Sequence, residues 1–166
     1  MPLHYVDPTK KHGHLYRAME GWSRSRPGQF VARRLFPRID PWLFRVTGGR
    51  YPWILGTMST APLVSTGAKS GLGREHQLTY FHDGPDPILI ASNYGGTQHP
   101  QWYYNLKANP QCEFGDEPFI AEEVTESAEH ARLFGLAEQV YSGYGDYRGK
   151  AAAVGRTVPV FRLISR

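Results

Sequence analysis

Ten residues, Ser65-Thr-Gly-Ala-Lys-Ser-Gly-Leu-Gly-Arg74, bring two cations, Lys69 and Arg74, together with hydroxyls and three glycines. A glycine-rich turn exposes backbone N–H groups, and nearby cations add charge, a combination suited to phosphate or carboxylate. The order is not that of a P-loop, which needs Gly-x4-Gly-Lys-Ser/Thr. An ordinary hairpin turn with solvated cations fits the same residues. A second stretch, Ala91-Ser-Asn-Tyr-Gly-Gly-Thr-Gln-His-Pro100, is small and polar and follows the apolar run Ile88-Leu-Ile90. Small residues after a strand let a flat ligand approach the backbone, although a solvated loop has the same composition. The third cluster is Tyr141, Tyr144 and Tyr147, spaced by three. Such rings can stack on a planar acceptor and a phenol can donate a proton; a plain aromatic turn is the alternative.

Other chemistries lack their residues. The seven histidines show no His-Glu-x-x-His or comparable ligand spacing, so no metal site is expected. His12 and His14 fall in a polar tail, and His4, His82 and His130 read as surface positions. Cys112 is the single cysteine, which excludes an intrachain disulfide framework and a cysteine zinc site. Its neighbours Gln111 and Glu113 offer no base, so it reads as a small strand residue. A Gly-x-Ser-x-Gly elbow is absent, which removes support for a triad hydrolase.

The elements that must carry these clusters follow from periodicity and breakers. Ala61 to Thr66 predicts a strand, Gly67 to Gly73 a turn, and Arg74 to Phe81 the next strand, ended at Asp83-Gly84. Pro87 to Ser92 predicts a short buried strand. Pro100 to Ala108 predicts a helix stopped by Asn109-Pro110, with Trp102 and Leu106 sharing a core-facing side. Gln111–Phe114 and Phe119–Val124 predict two strands across a turn at 115–118. Thr125 is a candidate N-cap for a helix through Tyr141, with Ala128, Ala131, Leu133, Leu136 and Val140 at approximate helical spacing. Thr157 to Ile164 predicts the closing strand. This order, strands interrupted by helices, is α+β with a sheet or barrel centre.

Ahead of these lies a different segment. Residues 1–50 hold ten Lys or Arg against three acids, +7, while the rest of the chain sums to −3. From Gln29 to Val46 bulky apolar residues alternate with arginines, and Pro37 and Asp40-Pro41 divide the stretch into two short helices. The second has Asp40 as N-cap, Pro41 in the first turn and Gly48 beyond its end. The expected division is thus a basic helical segment over 1–50 and a barrel domain over 51–166. At 166 residues, 40% hydrophobic, the chain suffices for a core, and its 18 glycines and 13 prolines favour a turn-rich β fold. No apolar run approaches the roughly 18 residues of a membrane span and the N-terminus lacks a signal-peptide core, so a cytoplasmic protein is expected.

Taken in order, the segments resemble the deazaflavin-dependent nitroreductases, F420H2-dependent reductases of actinobacterial type. The matching residues are Leu63-Val-Ser-Thr-Gly-Ala-Lys-Ser-Gly71 with Arg74, Ile90-Ala-Ser-Asn93 with Gly95-Gly96, and His99-Pro-Gln-Trp-Tyr-Tyr-Asn-Leu-Lys-Ala-Asn-Pro110. Tyr141 to Tyr147 and Thr157 to Phe161 extend the match. The resemblance implies a split β-barrel of the flavin-reductase and pyridoxamine-phosphate-oxidase kind, with N-terminal helices, and coenzyme F420 as cofactor. By position, Lys69, Ser70, Gly71 and Arg74 are implied to hold the phosphate and acidic tail. His76, Gln77, Leu78, Ala91, Ser92 and Asn93 are implied to line the deazaflavin, with Trp102 and Asn105 supporting that wall. Tyr141, Tyr144 and Tyr147 then face the acceptor, Tyr144 as proton donor or ring clamp. Two positions depart from the pattern: Ala68 stands where a basic residue is frequent, and His76-Gln77 where a polar residue and proline are.

The implied reaction is hydride transfer to an electron-poor small molecule such as a quinone, an activated alkene or a nitroaromatic. A non-catalytic lipid or cofactor carrier on the same fold and an FMN-dependent oxidoreductase are the competing readings. The arginines sit among bulky apolar residues, which argues against nucleic acid. For residues 29–46 the alternatives are a helix capping the barrel and a peripheral contact with an anionic membrane. A monomer or weak homodimer is expected.

Overall fold

Alternation decides the first strand: in β1, Thr60–Thr66, Ala61, Leu63 and Ser65 are buried and their neighbours half-buried. β2, Gly73–Asp83, returns antiparallel, setting His76 opposite Leu63, Leu78 opposite Ala61 and Arg74 opposite Ser65. Gly84, at φ +62°, makes the next turn, and β3, Asp86–Ile90, follows. β4, Gln111–Phe114, and β5, Glu117–Glu123, flank Gly115-Asp116, both in the left-handed region, the form a two-residue hairpin turn needs. β6, Val160–Ser165, enters between β3 and β5, and the sheet closes as a barrel in the order β1-β2-β3-β6-β5-β4. The structure is a computed structural model and describes residues 3–9, Phe30, Ile39, Trp42, 45–47 and 59–166. The paired helices expected over Gln29 to Val46, with Asp40, Pro41 and Gly48, lie largely outside that set, as do His12 and His14.

Two apolar clusters hold the fold. Leu63, Tyr80, Leu89, Phe114, Phe161 and Leu163 fill the barrel, and Trp102 and Leu106 of α1, Gln101–Ala108, pack onto them. On the outer face of β2, β3 and β6, Phe81, Ile88 and Val160 meet Leu133, Phe134, Ala137 and Val140 of α2, Ser127–Val140. Tyr144, Tyr147 and Ala151 of α3, Gly143–Ala153, complete that layer. Each large side chain so buried contributes about 1.5–3 kcal/mol.

Several local expectations need correction. The cap of α2 is Glu126, not Thr125: its carboxylate accepts from Ala128 N–H and Glu129 N–H. The buried side of α2 runs through Leu133, Phe134, Ala137 and Val140, while Ala128 and Ala131 are exposed. Tyr141 caps the C-terminus of α2 as expected, but Tyr144 and Tyr147 belong to a further helix, α3. β5 starts two residues early, at Glu117, because Pro118 stands opposite Glu113 where β6 does not yet pair and no N–H is required. β6 starts only at Val160, since Pro159 has no N–H to give the ladder.

His82 is the largest departure. It is buried, because residues 3–9 lie across that part of β2: His82 N–H donates to Val6 O at 2.9 Å, and Val6 N–H donates to His82 Nδ1 at 3.0 Å. Tyr5 stacks on the imidazole, and Tyr80 Oη donates to His4 O. Burial, reinforced by His4, lowers the His82 pKa and keeps the ring neutral.

Candidate active site

The turn after β1 is closed by its own backbone. Gly67 N–H donates to Leu72 O and Gly71 N–H to Gly67 O, each at 2.8 Å, with Gly71 at φ +67°. Lys69, Ser70 and Arg74 are exposed on it, and Arg74 Nη2 reaches Ser70 Oγ at 3.5 Å. Among the described residues neither Lys69 nor Arg74 pairs with a carboxylate, which leaves both charges available to an anion. The turn is tied to α1 by Asn105, whose Oδ1 accepts from Ala68 N–H and whose Nδ2 donates to Ser65 Oγ.

Alternation along β2 separates three residues expected on one wall. His76 and Leu78 share the face of Leu63 and Ala61, whereas Gln77 lies on the other, its Nε2 donating to Thr60 Oγ1 at 3.1 Å. His76 Nδ1 and Gln77 Oε1 are both buried and, among the described residues, have no hydrogen-bond partner. An orphaned acceptor loses its water without replacement, so such atoms point to a missing partner. Burial, and then the charge of Arg74, lower the His76 pKa and favour its neutral imidazole.

The loop from Ala91 to His99 has an unusual backbone. Asn93, Tyr94 and Gly95 are all left-handed, at φ 46°, 55° and 74°. Asn93 Nδ2 braces the loop by donating to Gln98 O at 2.8 Å. Ala91 is fully buried, Ser92 half-buried and Asn93 exposed. Beneath them lies Arg156, which the sequence reading did not single out. Its Nε donates to Gly96 O, Nη1 to Ala91 O and His99 Nδ1, and Nη2 to Ser92 O at 2.6 Å. Because a guanidinium only donates, His99 Nδ1 must be an acceptor; burial and then the Arg156 charge lower the His99 pKa accordingly.

Tyr141, Tyr144 and Tyr147 form one buried group, with ring centroids 5.7–6.1 Å apart and the Tyr141 and Tyr147 hydroxyls 3.5 Å apart. Tyr147 also meets Tyr94 of the loop edge-on at 5.7 Å. Burial, then its contact with Tyr141, pushes the Tyr147 phenol above the usual range. Trp102 turns into the barrel against Phe161, so it supports α1 from within. The turn, α1, the loop and the tyrosine helix are therefore joined in sequence: Asn105 links the first two, α1 begins where the loop ends, and Tyr147 adjoins the loop.

Residues 36–164 match the model of the F420H(2)-dependent quinone reductase family. The chain is 33% identical over 136 residues to an F420H(2)-dependent quinone reductase of Mycobacterium tuberculosis, covering 78% of this chain and 89% of the relative. Among solved structures it is similar to an F420-H2 dependent reductase, FDR-A, with a TM-score of 0.55 and 33% identity over 63% of this chain and 92% of the other. A second, described as a domain-swapped dimer, has a TM-score of 0.55 and 29% identity, covering 75% and 98%. With the closed six-stranded barrel, these likenesses establish that the chain belongs to the F420H(2)-dependent quinone reductase family, and it is an oxidoreductase with coenzyme F420 as cofactor.

Proposed function

We propose that the chain passes a hydride from reduced F420 to an electron-poor small molecule, a quinone first, and also activated alkenes and nitroaromatics. The observation that carries this is the pair of cations, Lys69 and Arg74, which meet no carboxylate among the described residues and stand on a turn braced to α1 by Asn105. His76 Nδ1, buried and without a partner among the described residues, fits a polar cofactor edge that would complete it.

When bound, the reduced cofactor supplies the hydride. Lys69 and Arg74, with the Ser70 hydroxyl and the Gly71 backbone, hold its phosphate and acidic tail. His76 and Leu78 from one face of β2, Gln77 from the other, and Ala91, Ser92 and Asn93 line the ring. Trp102 and Asn105 hold the wall behind. Tyr141, Tyr144 and Tyr147 exclude water on the acceptor side. Tyr144 is the proton donor or the ring clamp. Tyr147, kept protonated by burial, acts as donor or wall and not as base.

The test is quenching of oxidised F420 fluorescence on titration with protein, with flavin mononucleotide as comparator. Micromolar F420 binding weakened by Lys69→Ala, followed by turnover of a quinone, supports the reading. Binding of flavin mononucleotide alone moves the chain to FMN chemistry, and binding of neither favours a carrier.

A second reading concerns the basic N-terminal segment. Phe30, Trp42 and Val46 are helical and 64%, 62% and 64% exposed, within a stretch rich in arginine. We propose a cytoplasmic protein whose residues 29–46 touch anionic membrane surface while 51–166 form the catalytic barrel, as a monomer or weak homodimer. Among the described residues no helix is long and apolar enough to cross a membrane. Release from membranes by high salt checks the contact, and a protein never found there removes it.

A further inference from the structure

Arg156 is 8% exposed, and among the described residues no carboxylate pairs with it. Burying a guanidinium costs several kcal/mol unless its donors are met. Here they are met by Ala91 O, Ser92 O, Gly96 O and His99 Nδ1, all on the single loop that precedes α1. Left-handed backbone at Asn93 and Tyr94 is strained, and the loop's own bonds, Asn93 Nδ2 to Gln98 O among them, are joined by these outside contacts in imposing it.

The grip is anchored in the tyrosine helix. Gly155, at φ +70°, ends α3, and the N–H of Arg156 donates back to Ala151 O at 2.9 Å. The same helix meets the loop again at Gly95, where an added Cβ would lie 2.7 Å from Tyr147 O. The loop is thus fastened twice to the element that bears Tyr144 and Tyr147. The positive charge, met by three carbonyls and the His99 ring nitrogen, lies directly behind Ala91 and Ser92.

We propose that Arg156 is a positioning residue for cofactor binding: it locks the 91–99 loop into the shape that receives the deazaflavin ring and sets that loop in register with the tyrosines. This rests on the assignment of Ala91, Ser92 and Asn93 to the ring wall. Lysine cannot replace it, because one ammonium does not span acceptors arranged around a planar fork.

The experiment titrates two probes by fluorescence quenching: oxidised F420, and the same deazaflavin chromophore lacking the phosphorylated tail. The proteins are wild type, Arg156→Gln, Arg156→Lys, Arg156→Ala with and without methylguanidinium, and Lys69→Ala. All are measured well below their melting temperatures. Arg156→Gln is expected to weaken both probes by the same factor, about tenfold or more, because the competent loop is populated only fractionally. Arg156→Lys should recover only part of this, and methylguanidinium should restore Arg156→Ala. Lys69→Ala should weaken F420 and leave the tail-less probe unchanged. A folded Arg156→Gln protein that binds the chromophore like wild type overturns the proposal. Should that variant not fold, Arg156→Lys with wild-type affinity, or Arg156→Ala indifferent to methylguanidinium, overturns it instead. Wild type that binds neither probe defeats the ring-wall assignment itself, and the positioning role with it.

Discussion

Asn105 donates from its side-chain nitrogen to the hydroxyl of Ser65 at 3.1 Å, while its oxygen accepts from the Ala68 N–H. One buried side chain therefore joins β1, the cationic turn and α1. Replacing it with alanine leaves the Ser65 hydroxyl only its 3.5 Å bond to Arg74 O and removes the partner of the Ala68 N–H, a loss of about 1–3 kcal/mol. Asn105→Ala should melt several degrees lower and bind F420 more weakly, since the turn bearing Lys69 loses its brace. Wild-type melting temperature and affinity would show that the brace is idle.

Glycine is required at 95 for two reasons: φ is +74°, and a Cβ would stand 2.7 Å from both Tyr147 O and Lys150 Cβ. Gly95→Ala should lose more than the roughly 1–3 kcal/mol of backbone strain, because helix α3 must also shift. Gly73→Ala is the control, as nothing lies within 4 Å of its added Cβ and its backbone is not left-handed. Urea unfolding of the two variants should separate them clearly, and equal midpoints would refute the close-contact account.

Acid should destabilise the protein through Asp83. Hydrogen bonds from Arg132, and then Arg162, hold its carboxyl down to about 2 from an ordinary 3.8. A carboxylate whose pKa is depressed by folding stabilises above its unfolded value, and that contribution fades as pH falls through the folded one. Unfolding free energy should therefore drop between about pH 4 and pH 2, and Asp83→Asn should flatten that part of the profile. An unchanged acid limb in the variant would place the effect elsewhere.

The His82–Val6 pair should respond at milder acidity. His82 is held neutral below its ordinary 6.5, among His4, Tyr5, Tyr80 and Asp86. For a histidine lowered by folding, stabilisation is complete above the unfolded value and is lost as pH falls through the folded one. Protonation at Nδ1 also removes the acceptor of Val6 N–H. Amide exchange at Val6, corrected for its intrinsic rate, should accelerate from pH 7 to pH 5, and His82→Asn should abolish the change. No acceleration in the native protein would count against the pairing.

Strand positions were legible because their causes are local. Ala61, Leu63 and Ser65 alternate, Gly84 marks a reversal, and Asn109-Pro110 stops a helix. The cationic turn was legible for the same reason. α3 was not, because Gly143, Gly145 and Gly149 look like turn residues and the helix is held by packing on the second cluster. His82 was misread since its cover comes from residues 76 positions away. Arg156 looks like any surface arginine until the 91–99 loop folds over it. The resemblance sets Gln77 on one wall with His76, whereas the pleat puts them on opposite faces of β2.

The placement of β6 between β3 and β5 also sets which pairings of the barrel are local in sequence and which are not. β1, β2 and β3 form from neighbouring hairpins, and β4 with β5 forms another, so both units can assemble early from local contacts. β6 joins the two units through pairings distant in sequence and brings Arg162 to Asp83, Asp86 and Glu129. Arg156 lies just ahead of that strand and travels with it. The shape of the 91–99 loop therefore depends on the least local pairing in the barrel, and a change that loosens β6 should loosen that loop with it.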